Sequence, residues 1–313
     1  MERDLRWSDL KVLVTGGKGF IGSHLCRRLC GEGSEVHATS RDRHENSSAG
    51  GPIWWQSDMA YLETTRRVLA ATRPHIIFHL AGAVGAAPDC SLVLPTFHSL
   101  LTSTVNILLT AKELGCQRIF LIGSFTEPKP GEVDPTPGSP YGAAKWMSTA
   151  YGRMFHSLYQ TPVVNLRPFI TYGPAQPPTR LIASVALSLL RGEAPILSSG
   201  KTKADWVYIE DVIDAFLRAV TTPGIEGKSI DLGSGSLVSV RDIVERLVTI
   251  AGTNVAPRFG VLRDRPAENE IAANTSTASA LLGWRATTSL ESGLRQTFEW
   301  FRQQARQRDK TPV

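Results

Sequence analysis

The stretch Lys11-Val12-Leu13-Val14-Thr15-Gly16-Gly17-Lys18-Gly19-Phe20-Ile21-Gly22 limits what this chain can fold into more than any other. An apolar strand runs directly into a glycine turn, and helical spacing begins at Phe20. Gly16 suits a tight turn, Gly19 a close approach of the main chain to a pyrophosphate, and Gly22 tight packing of helix on strand. The helix start, with Phe20 and Ile21 in its first turn, offers backbone N–H groups and a positive dipole end to that phosphate. No Gly-Lys-Ser/Thr closes the run, so a P-loop is excluded and dinucleotide binding is favoured.

Strand-like and helix-like segments then alternate through the first half of the chain. Residues 20–30 carry Ile21, Leu25 and Leu29 at a helical period, and Glu35–Ser40 is a second strand. Residues 53–56 form a short strand and 62–72 a helix ended by Pro74. The run His75-Ile76-Ile77-Phe78-His79-Leu80 is apolar enough for a strand buried on both faces. A long helix over residues 92–114, a strand over 118–123 and another over 161–166 complete the alternation. The pattern predicts an α/β fold built on a doubly wound parallel sheet. The second half, with helices at 181–191, 211–220, 240–250 and 290–304, predicts a smaller α/β lobe. The expected division is 1–167 for cofactor binding and 168–313 for substrate, with about 205–235 returning to the first part.

The strand ends suggest a cofactor. A site for NAD places an acid after the second strand, to accept hydrogen bonds from the ribose hydroxyls. Here Thr39-Ser40-Arg41 stands there instead, and a hydroxyl followed by a guanidinium suits a 2′-phosphate. NADP(H) is therefore favoured, with NAD(H) the alternative if the strand ends later and Asp42 supplies the acid. Asp58, followed by Met59, is placed to touch the adenine. After the fourth strand, Leu80, Ala81 and Gly82 give small residues over which a cofactor can lie.

The chemistry is suggested by Ser124, at the end of the 118–123 strand, with Tyr141 and Lys145. Ser139-Pro140 is a strong helix start, and it sets Tyr141 and Lys145 one turn apart on one face. A free tyrosine has a pKa of about 10, too high for proton transfer at neutral pH. A neighbouring ammonium lowers it. Lys145 can also hold the nicotinamide ribose, while Ser124 orients the carbonyl or hydroxyl that reacts. Tyr141 then gives or takes the proton.

Composition excludes other classes. The chain is 42 % apolar with a net charge of +5, and it contains no apolar run long enough to suggest a membrane span and no nucleic-acid module. The charged start at Met1–Asp9 is unlike a secretory signal. Cys26, Cys30, Cys90 and Cys116 form no CxxC pair, so no metal centre is expected; reduced cysteines suit a cytoplasmic setting.

Further segments carry a resemblance to a known family. These are His79-Leu80-Ala81-Gly82, Pro140-Tyr141-Gly142-Ala143-Ala144-Lys145, Arg167-Pro168 through Tyr172-Gly173-Pro174, Val207–Val212 and Leu281-Leu282-Gly283-Trp284. Together with the glycine turn they resemble the extended short-chain dehydrogenases/reductases, NAD(P)-dependent epimerases, dehydratases and reductases of nucleotide sugars with a Rossmann fold. The resemblance implies a nucleotide-sugar substrate and a homodimer paired through the 92–114 and 141–159 helices. It also implies that Arg265, within Arg265-Pro266-Ala267-Glu268, and Arg180 contact the diphosphate. The 4,6-dehydratases of the family place Asp-Glu directly after the catalytic Ser/Thr. Here Phe125-Thr126 follows Ser124 and Glu127 falls one position late, which argues against dehydration. The expectation is an NADPH-dependent reductase of a nucleotide-activated 4-keto-6-deoxysugar. The alternative is an NAD-dependent 4-epimerase acting through a transient 4-keto sugar.

Overall fold

The computed structural model describes residues 6–43, 50–83, 85, 87–128, 132–264 and 270–309. In chain order the elements are β1 (Lys11–Thr15), α1 (Phe20–Gly31), β2 (Glu35–Ser40), β3 (Ile53–Gln56), α2 (Leu62–Thr72), β4 (Ile76–His79), α3 (Val93–Thr96), α4 (Ser103–Leu114), β5 (Arg118–Ile122), α5 (Pro140–Tyr159), β6 (Val163–Pro168), β7 (Ile170–Tyr172), α6 (Leu181–Leu190), β8 (Lys203–Tyr208), α7 (Ile209–Thr221), β9 (Ser229–Leu232), β10 (Leu237–Ser239), α8 (Val240–Ala251), α9 (Thr275–Leu282) and α10 (Leu290–Asp309). Seven strands form one sheet in the order β3-β2-β1-β4-β5-β6-β9, the doubly wound parallel arrangement that the alternation predicts. Thr15 of β1 lies opposite Thr39 of β2 on one side and His79 of β4 on the other. Strand order reverses at β1, and the crevice at the carboxyl ends beside such a switch point is where ligands bind in these sheets.

Residue alternation along the central strands buries both faces. Phe78 and Phe120 point to one side, stacked at 4.6 Å, and Phe78 also stacks on Phe216 of α7 at 5.6 Å. Leu13, Ile77, Ile119 and Leu121 point to the other, against Ile107 and Leu108 of α4 and Phe155 of α5. The continuous apolar run in β4 is thus a consequence of cover on both faces.

The chain divides into two compact units, Met1–Pro168 with Ile213–Asp231, and Phe169–Val212 with Leu232–Val313. In the first, Arg167 is paired with Asp231 at 2.7 Å. In the second, β7, β8 and β10 form a small sheet. There the buried Asp205 carboxylate accepts hydrogen bonds from the N–H groups of Ser234, Gly235 and Ala273 at 2.7, 2.8 and 2.9 Å. One carboxylate therefore satisfies three backbone donors that a loop would otherwise leave unpaired.

Three elements differ from the sequence reading. The segment after Arg167 contains β7 rather than turn alone, and β10 and α9 were not expected. The two strands are three residues each, too short for alternation to register, and α9 is rich in Ser, Thr and Ala. The helical stretch Cys90–Leu114 also corrects the expectation that no segment reaches membrane length. By length and composition it can cross a membrane, although Ser, Thr and Asn interrupt every apolar run within it. Its inner residues form core: Ile107 and Leu108 are fully buried, and Asn106 donates to the Met59 carbonyl at 3.0 Å. A π-helical turn at Phe97–Thr102 joins α3 to α4.

Candidate active site

Steric closeness fixes the glycine turn after β1. Gly16 has φ +69°, and a Cβ there would stand 2.8 Å from the Ala81 nitrogen. A Cβ on Gly22 would strike the Gly16 carbonyl at 2.3 Å. The Gly19 N–H donates to that same carbonyl at 2.9 Å, closing the turn, and Gly19 is the N-cap of α1 without a capping side chain. The first-turn N–H groups of a helix have no partners within it, and Phe20 and Ile21 are half-buried beside them. A bare helix start behind a glycine turn fits the diphosphate of a dinucleotide.

At the end of β2, Ser40 is half-buried and Arg41, Asp42 and Arg43 are exposed. The Ser40 Oγ accepts from the Asp42 N–H at 3.2 Å, and the Asp42 carboxylate pairs with Lys18 of the glycine turn, also at 3.2 Å. The nearest acid is therefore engaged with a lysine, and the strand end itself presents a hydroxyl. At the end of β3, Asp58 is half-buried and caps the Ala60 N–H at 2.9 Å. Met59 turns into the core, 2 % exposed.

The end of β4 is held by a chain of hydrogen bonds. Ala81 N–H donates to Thr15 Oγ1 at 3.1 Å, and Thr15 Oγ1 lies 2.8 Å from His79 Nδ1. His79 Nε2 lies 3.2 Å from Ser103 Oγ, which donates to the Ser99 carbonyl at 2.7 Å. The donors run in one direction when His79 carries its proton on Nε2. Burial pushes the His79 pKa down to about 3, with the Lys145 charge adding to the effect. His79 is thus a neutral strut beneath Leu80, Ala81 and Gly82, which stay half-buried at the strand end.

Ser124, Tyr141 and Lys145 come together in the first unit at the end of β5. Ser139 caps α5 by accepting from the Gly142 N–H at 3.1 Å, with Pro140 in the first turn. That cap fixes where Tyr141 begins and hence where Lys145 falls one turn later. Lys145 Nζ lies 5.9 Å from the centre of the Tyr141 ring and donates to the Ile122 carbonyl at 2.6 Å. Burial pushes the Lys145 pKa down to about 8, while the charge of Glu127 opposes that fall. Ser124 is buried; its Oγ accepts from the Thr126 N–H at 3.2 Å and shares a hydrogen bond with Thr126 Oγ1 at 2.9 Å. The arrangement presents a tyrosine, a buried cation and an oriented hydroxyl, the parts required for acid–base work on an alcohol or ketone.

Arg180 is exposed at the N-cap of α6 in the second unit, and Arg265 lies outside the described residues. The sequence reading missed Thr126 as the partner of the Ser124 hydroxyl and gave Glu127 no role. The Ser124-x-x-Glu127 spacing, which closes a turn in the way a capping pair does, was the available signal.

Comparison with known proteins places this geometry. The model of the NAD dependent epimerase/dehydratase family matches residues 12–233. A UDP-glucose 4-epimerase of Mycolicibacterium smegmatis is 28 % identical, over 94 % of this chain and 99 % of the relative. A dTDP-glucose 4,6-dehydratase of Escherichia coli is 26 % identical, over 93 % of this chain and 92 % of the relative. The crystal structure of Thermus thermophilus UDP-glucose 4-epimerase in complex with NAD superposes with a TM-score of 0.81 at 27 % identity, over 93 % of this chain and 98 % of that one.

Proposed function

Because the chain belongs to the NAD dependent epimerase/dehydratase family, with the fold of the extended short-chain dehydrogenases/reductases, we propose that it is a nucleotide-sugar 4-epimerase working through a transient 4-keto sugar. The observation that carries this reading is Tyr141 in the first turn of α5, beside buried Lys145 and Ser124. The epimerase relatives support it over the reductase expectation.

In this reading the glycine turn and the start of α1 hold the cofactor diphosphate, and Lys145 and Tyr141 stand at its nicotinamide end. NAD, when bound, supplies the site that accepts and returns hydride. Ser124 orients the sugar C4 oxygen by hydrogen bonding. Tyr141 takes the proton of the C4 hydroxyl as the ketone forms, and gives it back after the sugar presents its other face. The Lys145 ammonium stabilises the phenolate form of Tyr141 that takes this proton. The second unit, with Arg180 and Arg265, is the proposed nucleotide-sugar lobe. Phe125 and Thr126 occupy the two places after Ser124, so no acid stands there to eliminate water.

A second reading, the NADPH-dependent reductase of a 4-keto-6-deoxysugar, is favoured by Ser40 and Arg41 at the end of β2, where Asp42 is engaged by Lys18. The readings separate on the purified full chain. The epimerase releases near-stoichiometric NAD on denaturation and equilibrates UDP-glucose with its 4-epimer without added cofactor. The reductase releases none and consumes NADPH with a nucleotide 4-keto-6-deoxysugar. We further propose that Leu109 of α4 with Trp146, Met147, Tyr151 and Leu158 of α5, all exposed, cover the same face of a second copy. Light scattering tests this; a monomer at micromolar concentration contradicts it.

A further inference from the structure

A buried acid stands one turn from the reactive serine and has no part in the chemistry above. Glu127 is 5 % exposed. Its Oε1 accepts from the Ser124 N–H at 2.6 Å, and its own N–H donates to the Ser124 carbonyl at 3.2 Å. These two bonds close a ring with the backbone of Ser124 inside it. Thr149 of α5 donates its hydroxyl to the same carboxylate, and the charges of Arg167 and Lys145 favour its ionised form. Gly123 makes room: a Cβ there would lie 2.5 Å from Glu127 Oε1 and 2.8 Å from Arg167 Cγ. A carboxylate buried this deeply needs such partners, because desolvation alone strongly disfavours its charge.

We infer that Glu127 is a positioning residue for proton transfer: it clamps the Ser124 amide, which aims the Ser124 hydroxyl, and its negative charge balances the Lys145 ammonium beside Tyr141. The inference rests on the proposed acid–base role of Tyr141. Among the described residues the charges acting on Glu127 are Arg167 on β6 and Lys145 on α5; Arg167 in turn pairs with Asp231 on β9, and Lys145 neighbours Tyr141 on α5 and His79 on β4. His79 is neutral and Arg167 also pairs with Asp231, and among the described residues Glu127 is the anion whose charge acts on Lys145. Burial raises the carboxyl pKa of Glu127 and lowers that of Lys145, and each charge opposes the shift of the other. With the carboxylate gone, Lys145 releases its proton at lower pH. Tyr141 then loses its cationic neighbour and ionises at higher pH.

The test is a pH titration of phenolate ultraviolet absorbance on the full chain saturated with NAD. The difference between the wild type and Tyr141→Phe isolates the Tyr141 step. Glu127→Gln keeps an oxygen for the Ser124 amide but removes the charge, and the Tyr141 step is expected to rise by about one pH unit or more, tenfold in proton affinity. Glu127→Asp, which keeps the charge, is expected to bring the step back toward the wild-type value. A Glu127→Gln step equal to that of the wild type overturns the inference while leaving the Tyr141 reading intact. A wild type whose Tyr141 ionises no earlier than an ordinary tyrosine overturns both. Should Glu127→Gln not fold, Thr149→Val removes a donor that holds the carboxylate ionised. A smaller upward move of the Tyr141 step is then expected, and no move overturns the inference.

Discussion

The two ends of the cofactor crevice are built differently. At the β5 end, Ser124, Glu127 and Lys145 are buried, and each is held by short hydrogen bonds. At the β2 end, Arg41, Asp42 and Arg43 are exposed, and Asp42 pairs with Lys18 across solvent. Exposed ion pairs contribute little, typically about 0.2–1 kcal/mol, whereas buried polar groups are strongly committed to their partners. The buried end has one arrangement and one kind of chemistry. In the proposed reading the Ser40 hydroxyl and the Arg41 guanidinium at the exposed end are the groups that meet the adenosine ribose, which makes cofactor choice the softer property of the proposed site.

Four changes sharpen or break that contrast. Tyr141→Phe is expected to lower turnover by about 10²–10⁴-fold, the usual contribution of a positioned acid–base group, with NAD affinity nearly unchanged. Steady-state kinetics beside calorimetric titration with NAD separate the two effects. Gly22→Ala drives a methyl group into the Gly16 carbonyl. It is expected to weaken NAD binding at least about tenfold and to destabilise the fold by about 1–3 kcal/mol, measurable by titration and by melting. Ser40→Asp supplies the ribose acceptor missing from the end of β2 and is expected to shift the NAD-to-NADP affinity ratio toward NAD by about tenfold, some 1.4 kcal/mol. An unchanged ratio would show that Asp42 already does this work.

The smallest effect concerns pH. His79 is held near 3 in the fold against about 6.5 for a free imidazole, so the unfolded chain binds the additional proton between these values. Stability contributed by neutral His79 is fully present above about 6.5 and is lost as the pH falls toward 3. The melting temperature of the wild type is therefore expected to drop with acid over that window, and His79→Asn to show a shallower slope. Equal slopes would mean that other groups control acid stability.

Long-period signals made the first unit legible. The glycine turn, the apolar strands and the Ser139-Pro140 helix start each depend on local chemistry that the structure repeats. β7 and β10 were not legible, because three-residue strands take their identity from the partners β8 supplies. Glu127 looked like a misplaced acid in the sequence, since its role depends on Arg167 and Thr149, which the chain brings near only by folding. The cofactor preference was read from Ser40 and Arg41 alone, and the NAD-bound relative lends that preference no support. Exposed residues carry the least structural constraint, so sequence is weakest there.

One measurement bears most directly on the proposed reading, in which Ser124, Tyr141 and Lys145 orient the C4 oxygen and move its proton while bound NAD takes and returns the C4 hydride. The purified chain is incubated with UDP-glucose deuterated at C4, without added cofactor, and the products are followed by nuclear magnetic resonance. Formation of the 4-epimer with the deuterium retained at C4, and its loss in Tyr141→Phe, is the expected result. Saturating NAD with neither epimer nor 4-keto sugar formed, from any of a panel of nucleotide hexoses, would contradict it.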